Sequence, residues 1–377
     1  MIQLATASKL IRFSIHLLLL SGGFYSIGFS QVIAPQPFSL QGTLSTVRQG
    51  KVYLLSQDKT PIDSTELVDN RFSFRGQLAE PGLHLLQVAN DEMTYPVFLE
   101  GTSMRFTLNK DQTYQVTGSS LHTQWDAYEN KFLGSARDKL IRLFSEKSNA
   151  QQKGDSILVD KLRRQNDTLS VAIGREMLDW VTRKPYTFFN VYLLQQRSFS
   201  DEFIANRLSE LRPQFSNYPS FQSLEQGLKV RKQMLEKVAP NQVAHAFSLP
   251  DSSGKSYSLA SLMNKAVLVD FWASWCGPCI QQMPALKALQ AAFGPKGLTI
   301  IGVSIDDNRQ HWLRALRRLQ PAGIQLLASK NEEIKQQYAL FSIPRTYLLT
   351  QDGKIVALNL EGEALTKKVA ELLEQQR

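Results

Sequence analysis

Apolar and polar positions change their period twice along this chain. Between residues 31 and 120 short runs alternate, as in Arg71-Phe72-Ser73-Phe74-Arg75, with similar runs at 38–42, 51–55, 84–88 and 104–108. Gln49-Gly50, Asp69-Asn70 and Pro81-Gly82 separate them as turns. A period of two sends neighbouring side chains to opposite faces of a strand, so this region predicts a small antiparallel β-sandwich. From 121 to 239 the period lengthens. Trp125, Tyr128 and Phe132, then Leu169, Ile173, Met177 and Trp180, recur at three and four residues, until Pro185 stops the helix. Further helices are predicted at 187–196, 201–211 and 221–238. Aromatics at that spacing are read as core.

Near Pro240 the pattern changes again. A hairpin from Phe247 turns at Asp251-Ser252-Ser253-Gly254, followed by an apolar run at 266–271 and a helix from Cys276 to 293. Strands are predicted at 298–305, 325–328, 346–350 and 355–360, with helices around 312–319, 332–338 and 365–375. Strands alternating with helices before a closing hairpin argue an α/β domain with a mixed sheet. The chain therefore divides into 31–120, 121–239 and 240–377, with no internal repeat.

The first thirty residues stand apart. Lys9 and Arg12 precede an apolar stretch at 13–20, and Gly28 and Ser30 place small residues at −3 and −1 of a cleavage point. That is the layout of a cleavable signal peptide spanning 1–30. The alternative is an uncleaved N-terminal membrane anchor. Either places the rest of the chain in the periplasm or cell envelope. Composition agrees with a folded domain set: 43% hydrophobic and 20% charged residues exclude disorder throughout and a multi-span membrane protein. The net charge of +9 is mildly basic, and no nucleic-acid motif accompanies it.

There are two cysteines, Cys276 and Cys279. Two cannot build a disulfide scaffold or a four-cysteine zinc site, and a bond across so short a loop does little to restrict the unfolded chain. Their purpose is chemistry. Trp275-Cys276-Gly277-Pro278-Cys279 follows a buried strand and opens a helix, the context that gives C-x-x-C its redox meaning. Unpaired N–H groups and the dipole at a helix N-terminus favour a thiolate. Cys276 is then the exposed nucleophile and Cys279, one turn in, the buried resolving thiol. Pro278 suits the first turn because it has no N–H to leave unsatisfied. A metal site would need further ligands, and the histidines at 16, 84, 122, 245 and 311 form no closely spaced pair. No metal or cofactor is expected.

The segment from Val267 to Cys279 resembles the active-site segment of thioredoxins. Residues 240–377 are similar to extracytoplasmic thioredoxin-like proteins of the TlpA/ResA type. Residues 38–130, with Val116-Thr117-Gly118-Ser119-Ser120, resemble a β-domain found ahead of such modules in Bacteroidetes proteins. The resemblance implies a buried acid at Asp270 that takes the proton of Cys279, a helix-kinking Pro284, and a cis-proline loop at Ile343-Pro344. Trp275, Gly277, Pro278, Ile343 and Pro344 would then contact substrate. Arg345 departs from the family's usual threonine; it would tune Cys276, select acidic partners, or lie idle on the surface.

The leading expectation is a thiol–disulfide oxidoreductase of the cell envelope that reduces protein disulfides and draws electrons from a membrane donor. The alternatives are a disulfide oxidase or isomerase, and a non-enzymatic envelope adaptor that uses the fold as a scaffold. A peroxidase is disfavoured because Ala273 stands where its threonine belongs. Oligomeric state leaves no mark in the sequence.

Overall fold

A computed structural model describes residues 34–89, 92–195 and 199–375. The signal peptide expected at 1–30, with its cleavage point before Gln31, lies outside the described residues.

The first eight strands are β1 (Gln36–Leu44), β2 (Gly50–Leu55), β3 (Pro61–Leu67), β4 (Arg71–Leu78), β5 (Gly82–Val88), β6 (Thr94–Leu99), β7 (Ser103–Leu108) and β8 (Tyr114–Thr117). They form two four-stranded sheets, ordered β4-β1-β7-β8 and β3-β2-β5-β6. Leu40, Leu54, Phe74, Val97 and Phe106 fill the space between them. Burial alternates along β4 as its sequence dictates. One pairing departs from a purely antiparallel sandwich: β1 and β7 run parallel, from Ser39 opposite Ser103 to Leu44 opposite Leu108. The sequence pattern misses β3, β6 and β8. Six of the seven residues of β3 are exposed or half-exposed, Pro96 interrupts β6, and β8 has four residues. Gly118 closes the sandwich at φ +83°, where a Cβ would stand 2.3 Å from the Ser103 carbonyl oxygen, so only glycine fits.

Six helices follow: α1 (Ser120–Asp126), continued by a π-helical turn at Ala127–Leu133, α2 (Gly134–Gln152), α3 (Ser156–Thr182), α4 (Phe188–Gln195), α5 (Asp201–Phe215) and α6 (Pro219–Glu236). Tyr128, Phe189, Tyr192 and Phe221 centre their core, which Phe98 of β6 joins. The aromatics at helical spacing are therefore packing residues. Sandwich and helices are also tied by polar contacts, the His122 Nδ1 accepting from the Phe98 amide at 3.2 Å and the Glu80 carboxylate accepting from the Ser220 amide at 2.8 Å.

The remaining strands are β9 (Ser248–Pro250), β10 (Ser256–Ser258), β11 (Ala266–Trp272), β12 (Leu298–Ser304), β13 (Ile324–Leu327), β14 (Arg345–Thr350) and β15 (Ile355–Leu358). The helices are α7 (Gly277–Phe293), α8 (Arg309–Leu319), α9 (Glu332–Gln337) and α10 (Gly362–Glu374). β9 and β10 make the leading hairpin. The five-stranded sheet runs β13-β12-β11-β14-β15, parallel across its first three strands and antiparallel across the last three. All seven residues of β11 are buried. Val267, Val269 and Phe271 pack with Ile301, Val303 and Tyr347 on one face. Ala266 and Leu268 pack with Leu286 and Leu289 of α7 and Val369 of α10 on the other. This packing unit starts before residue 240: Val238 is wholly buried in the first of these clusters, with Met234 and Leu235 of α6 against it.

Candidate redox site

The centre is built where β11 ends and α7 begins. Cys276 caps α7 with φ −83° and ψ 97°, and its Sγ accepts a hydrogen bond from the Cys279 amide at 3.2 Å. A sulfur there meets the positive end of the helix, as the sequence pattern requires. Gly277 and Pro278 form the first turn. Cys276 and Cys279 are joined by a disulfide, with Cα atoms 5.3 Å apart. One expectation is corrected: Cys276 is 4% exposed, scarcely more than Cys279 at 3%. Bonded to each other, both sulfurs sit in an apolar cluster with Trp272, Ala273, Met283 and Trp312. The exposed neighbour is Trp275, at 67%.

Ile343 packs against the same cluster, and its bond to Pro344 is cis. Trp275, Gly277, Pro278, Ile343 and Pro344 therefore gather around the disulfide from two distant stretches of chain. Pro284 lies inside α7. Arg345 does not face the cysteines. It stands opposite Phe271 in the β11–β14 ladder, on the sheet face away from α7, where its Nε donates to the Tyr347 hydroxyl at 3.0 Å.

Asp270 falls between Leu268 and Trp272 in the alternation of β11, hence on the α7 side of the sheet, directly across from the buried Thr346. Its Oδ1 has no hydrogen-bond partner, so it is not a satisfied core polar group. Burial, which disfavours the charged form, pushes the carboxyl up to about 7. Such a group exchanges its proton near neutral pH.

A second buried carboxylate escaped sequence reasoning. Asp306, just beyond β12, accepts from the Ser274 amide at 2.8 Å, the Ser274 hydroxyl at 2.6 Å and the Ser304 hydroxyl at 2.7 Å. Because β11 and β12 are parallel neighbours in register at Trp272 and Ser304, the loops leaving them lie side by side. Asp306 fastens the loop that delivers Cys276. In the sequence it is one acid in Asp306-Asp307-Asn308, indistinguishable from an ordinary helix start. Among the described residues no cluster of three or more His, Cys, Asp or Glu side chains could hold a metal ion.

A helix-capping C-x-x-C disulfide on a mixed five-stranded sheet, faced by a proline loop, defines a thioredoxin-like thiol–disulfide centre. Comparison with known proteins agrees. Residues 239–375 match the Redoxin family, and residues 38–125 match a domain of unknown function, DUF4369. The thioredoxin-like protein YneN of Bacillus subtilis is 33% identical over 136 residues, which are 36% of this chain and 78% of YneN. The thiol-disulfide oxidoreductase ResA of Bacillus anthracis is 30% identical over 139 residues, 36% of this chain and 75% of ResA. Among solved structures, the thioredoxin domain of a thiol-disulfide oxidoreductase from Bacteroides vulgatus is 34% identical, covers 36% of this chain and 98% of that one, and has a TM-score of 0.35. The chain belongs to the ResA-type thioredoxin-like thiol–disulfide oxidoreductases, extended by an N-terminal β-region and a helical middle.

Proposed function

We propose that this enzyme works in the cell envelope and reduces protein disulfides through the Cys276–Cys279 dithiol. The supporting observation is a cysteine at the α7 N-terminus together with a buried Asp270 on β11, on the sheet face that α7 covers, with its Oδ1 unpartnered. In the reduced enzyme the Cys276 thiolate attacks one sulfur of a substrate disulfide, forming a mixed disulfide and releasing the first substrate thiolate. Asp270 as carboxylate takes the proton from the Cys279 thiol. The resulting thiolate attacks Cys276 Sγ, the mixed disulfide breaks, and the second substrate thiolate leaves and is protonated by solvent. Two electrons pass to the substrate, and the enzyme ends as the disulfide. A membrane-bound dithiol donor would return it to the dithiol state.

The direction is tested by equilibrating the protein with glutathione. A reductase lies nearer thioredoxin, at about −270 mV, than the strong oxidant DsbA at about −120 mV. A value at the oxidising end would make it an oxidase or isomerase. Failure to accelerate insulin reduction by dithiothreitol would favour the adaptor. For the location, the support is the basic, apolar and small-residue order of residues 9–30. The exported protein should begin near Gln31; an N-terminus still reading Met1-Ile2-Gln3 would indicate the anchor.

A further inference from the structure

Among the described residues of 240–377, Val243, Trp275 and Phe341 are the exposed large hydrophobic side chains, and Trp275 and Phe341, at 67% and 45%, are the aromatic ones. Each belongs to a segment that reaches the disulfide. Trp275 precedes Cys276, and Phe341 lies two residues before Ile343, which packs on the cysteine cluster. Nothing in the folding of the five-stranded sheet calls for either ring to face water.

Phe341 is held from outside that sheet. The guanidinium of Arg231, on α6, sits over its ring at 5.4 Å from the centroid. Arg231 is itself anchored, its Nε 3.3 Å from Oδ1 of Asp201, the first residue of α5. Arg231, Met234, Leu235 and Val238 share one stripe, at spacings of three and four. Met234, Leu235 and Val238 pack in the same cluster as Leu340 and Ile343. One edge of α6 thus lies along the loop that carries the cis-proline.

We propose that Arg231 is a positioning residue for protein substrates: through Phe341 the helical middle region completes the docking surface beside the disulfide. The inference rests on the reductase reading and names its substrate class. The occupant is an extended polypeptide segment that carries an apolar side chain next to its disulfide cysteine. Its backbone runs along Ile343 and its apolar side chain rests between Trp275 and Phe341. Burying that side chain supplies affinity without touching the sulfur chemistry. A small disulfide reaches the sulfurs without using this surface.

The experiment compares two substrates, insulin and 5,5′-dithiobis(2-nitrobenzoic acid), for the full chain and for Arg231→Ala, Arg231→Lys and Phe341→Ala. A cation over a half-exposed ring is worth a factor of about two to five. Arg231→Ala should raise the KM for insulin by that factor, with the loss in insulin efficiency exceeding the loss toward the small disulfide. Arg231→Lys, which keeps the cation, should recover part of it. Phe341→Ala should lose at least as much as Arg231→Ala, and decides alone if the arginine variants do not fold. An unchanged insulin KM in Phe341→Ala, or equal losses toward both substrates, overturns the proposal. A wild-type protein inert toward insulin removes the reductase reading itself; one that reduces insulin with a KM that Phe341→Ala leaves unmoved removes this proposal alone.

Discussion

β4 and β11 are both strands of a four- or five-stranded sheet, yet they treat polar residues in opposite ways. β4 has one face in water, so Arg71, Ser73 and Arg75 stay hydrated while Phe72 and Phe74 form core. β11 is covered on both faces, and Asp270 in its middle is buried with the rest of the strand. Two aspartates show the contrast in opposite directions. Asp111, in an exposed turn of the sandwich, is held below its ordinary value by bonds from the Thr113 hydroxyl and amide. Asp270 is pushed the other way, to about 7, by burial alone. A one-sided sheet builds a stable platform; a two-sided sheet can hold a proton donor and acceptor near neutral pH.

The sharpest break between the regions is the loss of a cysteine. Cys276→Ser should abolish disulfide reduction while both sheets stay folded. Cys279→Ser should instead accumulate mixed disulfides on Cys276, because a serine hydroxyl is too weak an acid to resolve them. Non-reducing gels of the two variants read this; more adduct with Cys276→Ser would invert the assignments.

The next effect concerns where the two-sided unit starts. A fragment spanning 240–377 lacks Met234, Leu235 and Val238, whereas one spanning 230–377 keeps them. The shorter should be less stable by about 4 kcal/mol, from lost apolar burial and the cavity left behind. Urea unfolding of both fragments measures it. Equal midpoints would mean that the packing of α6 adds nothing to the sheet.

Asp270 predicts a pH dependence that the sandwich should not share. In the unfolded chain its carboxyl ionises near the ordinary 3.8, in the folded oxidised protein only near 7. Folding therefore takes up a proton between those values. The neutral form's advantage is complete below about pH 4, is lost as pH rises to about 7, and stays lost above. The effect is on the order of 4 kcal/mol. Asp270→Asn should flatten that slope and be more stable than wild type at pH 8. It should also slow resolution by Cys279 more than the first attack by Cys276. A wild-type slope retained in the variant would contradict the titration, and equal loss in both kinetic steps would contradict the role.

The smallest effect separates Asp306 from Asp111. Asp306→Asn replaces one acceptor oxygen by a donor, leaving a Ser274 or Ser304 donor unpaired at about 1–3 kcal/mol. The loop before Cys276 loosens, so the reduction potential should move as well. Asp111→Asn should shift the urea midpoint far less and leave the potential alone. Matching behaviour would show that Asp306 is an ordinary loop acid.

Much of this protein was determined locally. Alternation in 71–75, helical spacing from Trp125 and the apolar run ending at Phe271 are properties of neighbouring residues, so the region types could be read directly. The same holds for Cys276-Gly277-Pro278-Cys279, since helix capping involves one turn of chain. The tertiary structure decided what depends on residues far apart. Whether Asp270 would find a partner depended on the facing strand, and only the folded sheet left its Oδ1 alone. The role of Asp306 required β12 to lie beside β11, and the turning of Arg345 toward Tyr347 followed from the pleat of β14. The burial of Cys276 followed from the bond to Cys279 and the packing of Trp272 and Trp312. The parallel pairing of β1 with β7 and the contact of Arg231 with Phe341 join residues 64 and 110 positions apart, for which no local period exists. Period and capping are short-range constraints; charge burial and interdomain contact are fixed only when distant surfaces meet.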